Sequence, residues 1–248
     1  MSIVWIGRLL KQFGGLYISG TIMTLEISVL GTFLGYVLGF LVGVVQSSKA
    51  DLDEKSVRTA VLVALKQICR FYVFIFRGTP MIVQAMVIYF GSLQALGLDL
   101  SPFTAAVIVV SLNTGAYMAE TVRGGFQSVD AGQVEGALAL GMPYLKIMLL
   151  IVIPQALRNI FPQMGNTFIS NIKDTSVLNI ISVSELFFTT KTVAGSYYKY
   201  FEAYTITAVI YLMLTFVFNL LFNFLEQRMA DKANYELVDV DEYERALA

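Results

Sequence analysis

The sequence contains no histidine and a single cysteine, Cys69, and only 14% of its 248 residues are charged. The absence of histidine excludes histidine metal sites, histidine general bases and Ser-His-Asp triads, and one cysteine cannot form a disulfide within the chain. No G-x-x-x-x-G-K-[ST] loop occurs, so the chain has no P-loop of its own for ATP. A net charge of -1 provides no basic field for nucleic acid.

Apolar residues make up 56% of the chain, and its mean hydropathy is +0.69. A soluble domain carries about 25% charged residues, so this composition is typical of an integral membrane protein. A span needs about 20 apolar residues, and the sequence predicts an all-α protein with five transmembrane helices. They lie at residues 19–45, 81–98, 103–122, 160–184 and 203–225. Residues 56–76 have basic side chains between apolar ones at helical spacing, which predicts a helix entering from the membrane interface.

The distribution of Lys and Arg predicts the orientation of these spans. Five spans place the two ends of the chain on opposite sides of the membrane. With the amino terminus outside, the cytoplasmic segments hold twelve Lys and Arg residues and the outside segments hold four. The positive-inside rule therefore predicts amino terminus out and carboxyl terminus in. The predicted division is an extracytoplasmic segment 1–18, a membrane domain 19–228 with a cytoplasmic loop 126–158, and an acidic cytoplasmic tail 229–248.

Three further patterns favour packing or anchoring over ligand binding. A glycine at every fourth position between residues 31 and 43 forms a small-xxx-small face. Asn219 and Asn223 fall at i and i+4 in the last span, where hydrogen bonds between helices are the favoured role. Arg77 and Arg123 each stand beside glycine at a predicted cytoplasmic helix end, where they would anchor to lipid phosphates or to helix carboxyl ends.

The cytoplasmic loop contains a short pattern, E-G-A-L-A-L-G at residues 135–141, followed by I-V-I-P at 151–154. Its small residues would let a helix backbone approach a partner closely. Glu135 is placed to cap this helix or to meet a basic group on the partner, and Gly141 permits the turn that ends it. The pattern predicts a helical surface knob for another protein, and the alternative is an ordinary loop between helices.

Five motifs, in order along the chain, resemble those of ABC importer permeases in the branch that takes up polar amino acids. The pattern just described resembles the E-A-A-x3-G-x9-I-x-L-P loop of that family, which forms a coupling helix. The other four are F-R-G-T-P at 76–80, A-E-T-V-R-G-G at 119–125, G-Q-V-E at 132–135 and K-D-T-S at 173–176. The resemblance covers residues 20–226.

Two positions depart from the family pattern. Gly136 stands where alanine is usual, and because glycine costs about 1 kcal/mol against alanine inside a helix, we expect a looser coupling helix or a later start. Ile153 replaces leucine before Pro154, which conserves volume.

The resemblance implies a permease subunit of the bacterial cell membrane that catalyses no reaction itself and binds no cofactor. It would couple ATP hydrolysis by a partner subunit to alternating access. The implied partners are ATPase subunits carrying ATP and Mg²⁺, a second copy or a sister permease, a polar amino acid, surrounding lipid, and an extracytoplasmic substrate-binding protein that touches residues 97–102 and 187–201. The implied ATPase-coupling residues are Glu135, Gly136, Ala137, Ala139, Leu140 and Gly141.

Lys173 and Asp174 are the first candidates for the substrate path. They lie about 20 Å along the predicted fourth span, at 1.5 Å per residue. Ionisable groups at such a depth cost several kcal/mol unless paired or hydrated, and they mark pathways. One or both would face a central cavity between two permease subunits and meet the amino and carboxyl groups of an amino acid, with Thr175 and Ser176 as neutral hydrogen-bonding groups.

Further candidates lie on the first and third spans. Asn113, Tyr117 and Glu120 share one face of a helix, and Asn113 and Glu120 are predicted to line the cavity. Glu26 is the only charge in the first span and is a third candidate. The alternative for the lysine–aspartate pair is a structural ion pair with Glu120 or Glu26.

Two other classes of function stay open at this point. One is a secondary amino acid transporter driven by H⁺ or Na⁺, and the other is a channel or passive scaffold. Secondary transporters often carry inverted repeats, whereas this sequence has no internal repeat and five spans do not divide evenly.

Overall fold

The computed structural model describes residues 2–48 and 57–231, and within these ranges the secondary structure is helical with no strand. The predicted acidic tail lies outside the described residues from 232 onward. The α-helices are α1 Ser2–Ser47, α2 Val57–Gly78, α3 Met81–Leu96, α4 Pro102–Gln127, α5 Ala131–Ala139, α6 Tyr144–Ile147, α7 Ile153–Asp174, α8 Leu186–Tyr197 and α9 Tyr200–Asp231. A π-helix, Met148–Val152, joins α6 to α7, and a 3-10 helix, Thr175–Ile181, follows α7.

Five helical segments of the described chain are long and apolar enough to cross a membrane, so the predicted all-α membrane fold with five spans is confirmed. They are Ile3–Ser47, Thr59–Gly78, Pro102–Gln127, Tyr144–Ile181 and Tyr200–Met229. The second span differs from the prediction. The sequence predicts it at residues 81–98, but the corresponding helix, α3, has only 16 residues, and α2 is the helix that is long enough to cross. The predicted boundary between residues 18 and 19 falls inside the continuous helix α1.

α1 and α4 pack against each other in parallel through the glycine face of α1. A Cβ atom built on Gly31 would lie 2.6 Å from Val110 Cγ1, and one on Gly43 would lie 2.6 Å from Val122 Cβ. The glycines between them meet the intervening turns of α4 in the same order. The residue numbers rise together along both helices, so the helices run in the same direction. The predicted small-residue packing face is confirmed.

α2 and α3 together return the chain between the two parallel helices. Tyr72 Oη on α2 donates to the Leu112 carbonyl of α4 (2.6 Å), whereas Ala85 on α3 belongs to the same buried cluster as Ala105. As the chain advances from α2 to α3, its contacts on α4 therefore move toward the amino terminus of α4. The α2–α3 segment thus runs antiparallel to α4. The break at residues 78–80 lies within this crossing, which corrects the predicted interfacial helix.

Two of the basic residues that made α2 resemble an interfacial helix, Lys66 and Arg77, have partners in the structure. Lys66 Nζ donates to the Ser48 carbonyl, immediately after the end of α1. A cation at a helix carboxyl terminus is favourable because the last carbonyls carry partial negative charge. Arg77 occupies the last turn of α2 and faces the cavity described below.

Proline shapes the fourth crossing, Tyr144–Ile181. Pro154 has no backbone N–H, and the π-helix immediately before it changes the hydrogen-bonding pattern of that turn. Pro162 lies inside α7 and removes a second backbone hydrogen bond. After the 3-10 helix, the buried Glu185 carboxylate accepts from the backbone N–H groups of Phe187 and Phe188, both at 2.7 Å, and caps α8.

We predict opposite effects for two glycine-to-alanine changes in α1. At Gly39 an added Cβ would lie 2.5 Å from Met118 Cβ and 2.7 Å from the Gly115 carbonyl, and overpacking of this kind costs about 1–3 kcal/mol. At Gly15 an added Cβ meets nothing within 4 Å, and alanine is the better helix former by about 1 kcal/mol. Thermal unfolding in detergent is monitored by size-exclusion chromatography. The unfolding midpoint temperature should be lower for Gly39→Ala and unchanged or higher for Gly15→Ala. Equal midpoints would contradict the α1–α4 contact.

Candidate functional site

A cavity of about 740 Å³ lies beside the break between α2 and α3, and residues of α4 and α7 form its other walls. Its polar lining is unusual for a chain of this hydropathy, because polar groups at membrane depth require partners or water. The polar and charged residues lining it are Arg77, Thr79, Asn113, Thr114, Tyr117, Glu120, Thr121, Gln163, Asn166, Thr167, Ser170, Asn171 and Asp174.

The broken backbone beside the cavity is held by two amide side chains. Gln84 Nε2 donates to the carbonyls of Phe76 and Thr79, each at 2.9 Å. Asn113 Nδ2 donates to Gln84 Oε1 at 3.0 Å and to the Phe76 carbonyl at 3.4 Å. The bonds to Phe76 satisfy a carbonyl group that Pro80, which has no N–H, leaves without its helical donor. The break between α2 and α3 is therefore stabilised by side chains of α3 and α4.

A second set of hydrogen bonds fixes α7 against the parallel pair. Asn171 is buried, and its Nδ2 donates to Thr32 Oγ1 of α1 (2.7 Å) and to Thr114 Oγ1 of α4 (2.8 Å). Asn171 thus connects three helices at one point of the cavity wall and sets the rotation of α7. That rotation decides which polar residues of α7 face the cavity.

Glu120 is the centre of the two salt bridges found in the described part of the chain. Its Oε2 lies 2.7 Å from Arg123 Nη2 and 3.6 Å from Arg77 Nη1. The Arg77 guanidinium also lies 5.5 Å from the centre of the Tyr117 ring. The structure thus gives both arginines a carboxylate neighbour on α4, and their predicted anchoring to lipid phosphates or helix ends stays a prediction. Arg123 holds Glu120, and Arg77 is a loosely paired cation on the cavity wall.

Asp174 ends α7 and lines the cavity, where the chain changes from an α-helix to a 3-10 helix. Among the side chains that the structure describes, neither Lys173 nor Asp174 forms a salt bridge within 4.0 Å, so the predicted structural ion pair with Glu120 or Glu26 is not found. Asp174 as a whole residue is exposed in the single chain.

The structure brings three of the predicted path residues together and leaves four off the cavity wall. Asn113, Glu120 and Asp174 line it. Lys173 is exposed but is not among the lining residues, and Ser176 is also outside the set. The remaining two lie elsewhere: the Thr175 hydroxyl is buried and donates to the Ile172 carbonyl, and Glu26 is on the exposed face of α1 near Phe103.

Several lining residues were not predicted as path residues from the sequence. The sequence predicts Arg77 at the membrane surface, and of the α7 lining residues it predicts Asp174 alone. A signal for the α7 residues exists in the sequence: Gln163, Asn166, Ser170 and Asp174 are spaced by three and four residues, which places polar groups on one face of a helix.

Asn219 and Asn223 line a second, smaller pocket of about 210 Å³ between α7 and α9. Pro162 and Gly165 form the α7 side of this pocket, and Asn166 contributes to both pockets. The two asparagines thus face a neighbouring helix, and their predicted role in holding helices together stays a prediction.

The predicted coupling segment forms α5, which begins before Glu135. Asp130 Oδ1 accepts from the Gly132 N–H at 2.6 Å and caps the amino terminus of the helix. The helix ends at Ala139, and Gly141 in the following turn has a φ of +76°, in the left-handed region, with the Met142 N–H donating to the Ala137 carbonyl at 3.1 Å. This is the glycine-terminated helix end expected from the sequence.

Most of α5 is exposed, and one residue holds it in place. Ala137 is buried against Ile147 and Val152, whereas Leu138 and Leu140 are 51% and 84% exposed. Ala137 therefore packs inward and is not part of the exposed surface predicted for it. Gly136 sits inside the helix, so the expected later start is not observed.

Residues 57–231 match the family model described as binding-protein-dependent transport system inner membrane component. The chain belongs to this family. This permease is 37% identical over 215 residues to the glutamine transport system permease protein GlnP of Escherichia coli (strain K12), covering 86% of this chain and 93% of the relative. It is 32% identical over 212 residues to the arginine transport system permease protein ArtQ of Bacillus subtilis (strain 168), covering 86% and 91%.

A solved structure supports the same relationship. The permease aligns with a chain from the crystal structure of an amino acid ABC transporter with histidines at a TM-score of 0.78 and 35% identity, covering 88% of this chain and 96% of that one. The predicted ABC importer permease of the inner membrane is therefore confirmed, and the ion-driven alternative has no support. Components of this family are the membrane permeases of their transport systems.

Proposed function

We propose that this permease takes up a polar amino acid of zero or positive net charge through the cavity beside the α2–α3 break. The observation that carries the proposal is a loosely paired cation, Arg77, and a carboxylate without a salt bridge to any described side chain, Asp174, on the wall of one polar cavity. An amino acid at neutral pH carries a carboxylate and an ammonium group, which are the complementary charges.

The α-carboxylate of the substrate binds at Arg77 and the start of α3. Arg77 keeps donors free because its contact with Glu120 is 3.6 Å long. Pro80 precedes α3 without a side-chain cap, and Met81 and Ile82 line the cavity. A helix amino terminus favours an anion because its first N–H groups are unsatisfied and its dipole is positive there. Broken membrane helices use this arrangement for substrate carboxylates.

The ammonium group binds at Asp174. The lining set contains Asp174 and Glu120 as carboxylates against Arg77 as the cation. Arg123 lies 2.7 Å from Glu120 and neutralises it, so Asp174 is the carboxylate that attracts a substrate ammonium and repels a second substrate carboxylate. This charge balance favours glutamine-like and arginine-like substrates over glutamate-like ones. The relatives named for glutamine and for arginine are in accord with that range.

A second copy or a sister permease covers the open side of the cavity. Gln163, Asn166 and Asp174 are exposed in the single chain although they lie in a membrane-crossing helix. Polar side chains are rarely left facing lipid, since they face a bundle interior or water instead. Pairing two permeases through this face places both cavities on a common path.

The conformational change that ATP hydrolysis drives in the ATPase subunits is transmitted to the cavity through α5. In the proposed arrangement ATPase subunits, which hold ATP and Mg²⁺, dock on Glu135, Leu138 and Leu140, with α5 in the cytoplasm and the amino terminus outside. The buried contact of Ala137 with Ile147 and Val152 connects α5 to the segment that leads into α7. A substrate-binding protein delivers the amino acid at the opposite end of the permease.

Reconstitution tests this function. The permease with its ATPase and binding protein is placed in liposomes, and uptake of labelled glutamine, arginine and glutamate is measured with ATP inside or with an imposed H⁺ or Na⁺ gradient. We expect ATP-dependent uptake of glutamine or arginine and weak uptake of glutamate. Uptake driven by an ion gradient without ATP would overturn the importer mechanism, and a preference for glutamate would overturn the charge assignment.

A further inference from the structure

The amino-terminal end of α1 and the carboxyl-terminal end of α8 form a cationic cluster around Trp5, the single tryptophan of the chain. The Arg8 guanidinium lies 4.7 Å from the centre of the Trp5 ring, and Lys199 Nζ lies 5.0 Å from the same centre. This cluster is far along α1 from the cavity residues, and none of its members lines the cavity.

Aromatic contacts hold the cluster in place. The Tyr197 ring packs on Trp5 and on Phe13, each at 6.0 Å between ring centres. Tyr197 Oη also donates to Gln12 Oε1 at 3.0 Å. The turn at Tyr198, with a φ of +54°, then brings Lys199 back over Trp5. The positions of the two cations are therefore set by packing between α8 and α1.

The two cations repel each other and lack a carboxylate partner in the described ranges. Each lies within 5.0 Å of one ring centre, so they are no farther apart than the Debye length of about 10 Å at 0.1 M salt. Neither Arg8 nor Lys199 forms a salt bridge within 4.0 Å there, and Glu202, the nearest acid along the chain, is buried. An anion bound to both would remove the repulsion.

We propose that this cluster, Trp5, Arg8 and Lys199, binds the phosphate of an anionic phospholipid headgroup. Trp and Tyr concentrate where membrane helices meet the headgroup layer, and basic residues at that level attract anionic lipids. Ile3 and Val4, 84% and 70% exposed, lie in the same turn as Trp5 and provide an apolar surface for lipid. The bound lipid fastens α8 and the start of α9 to α1.

Because Trp5 is the only tryptophan, its fluorescence reports on this site directly. The full chain is placed in nanodiscs of phosphatidylcholine that contain equal mole fractions of either brominated phosphatidylglycerol or brominated phosphatidylcholine, and quenching is measured. We expect a preference of at least about fivefold for the brominated phosphatidylglycerol at low salt. The preference should fall to about one in Arg8→Gln/Lys199→Gln and weaken with added salt, since it is electrostatic.

Lys191→Gln is the matched control, because Lys191 is an exposed cation on α8 outside the cluster, and it should keep the preference. The emission maximum and elution profile without brominated lipid verify that each variant is folded. Equal quenching by both lipids, or a preference that survives the double substitution, would overturn the proposal. So would a double variant that keeps its lipid preference but loses stimulation by the binding protein, because the cations would then serve an acidic protein surface.

Discussion

Asp174→Asn should raise the KM for amino acid uptake by about 10- to 100-fold while leaving the amount of assembled permease unchanged. A hydrogen bond to a charged group contributes about 1.5–3 kcal/mol, and each 1.4 kcal/mol corresponds to a factor of ten in affinity. Asparagine keeps the size of the side chain but removes the charge that the substrate ammonium requires. Because Asp174 has no salt-bridge partner in the described chain, its replacement leaves no buried cation without a counter-charge.

The measurement is the concentration dependence of ATP-driven uptake in liposomes, together with the yield of assembled complex after purification. Glu26→Gln is the control, since Glu26 is a carboxylate within a crossing helix that lies outside the cavity. It should leave the KM unchanged. A fall in folded protein with an unchanged KM would assign Asp174 a structural role. An effect of equal size in Glu26→Gln would show that the loss of any intramembrane charge is sufficient.

Gly141→Leu should abolish the coupling of ATP hydrolysis to uptake while leaving the permease inserted and its cavity intact. Gly141 has a φ of +76° at the end of α5, and an L-residue in this conformation costs about 1–2 kcal/mol. The chain relieves that strain by changing the turn, which releases the hydrogen bond from Met142 to Ala137 and shifts α5 from its packing on Ile147. The proposed ATPase surface would then no longer be held in register.

Gly97→Leu is the control that introduces the same backbone strain at a helix end outside α5. Gly97 also ends a helix with a positive φ, +66°, and a side chain there also meets nothing within 4 Å, but it lies between α3 and α4. We expect co-purification of the ATPase to be lost in Gly141→Leu and kept in Gly97→Leu. Normal ATP-driven uptake in Gly141→Leu would eliminate α5 as the coupling element.

The membrane class, the number of spans and the position of α5 could be predicted from the sequence because each depends on residues close together along the chain. Hydropathy over about 20 residues determines whether a helix can cross a bilayer. The four-residue glycine spacing determines which face of α1 allows close approach, and the structure places α4 on that face. The end of α5 needs a residue that tolerates positive φ, and Gly141 supplies it.

The identity of the cavity residues was decided by tertiary structure. Lys173 and Asp174 are equally polar in sequence, but neighbours on a helix point about 100° apart, and the lining set includes Asp174 alone of the two. The rotation of α7 is set by Asn171, whose partner Thr32 is 139 residues away. Contacts across such a separation leave no periodic signal in a single sequence.

Contacts between distant residues also explain why the sequence predicts α2 as an interfacial helix when it is long enough to cross the membrane. Lys66 and Arg77 make α2 look interfacial when its residues are considered alone, because unpaired cations belong at the membrane surface. In the folded chain Lys66 binds the end of α1 and Arg77 lies near Glu120 of α4. The sequence by itself thus determined that this is a helical membrane permease with a short helix, α5, between two of its spans. Only the packing of distant helices decided which charges face the cavity, because the fold determines which partner lies beside each charge.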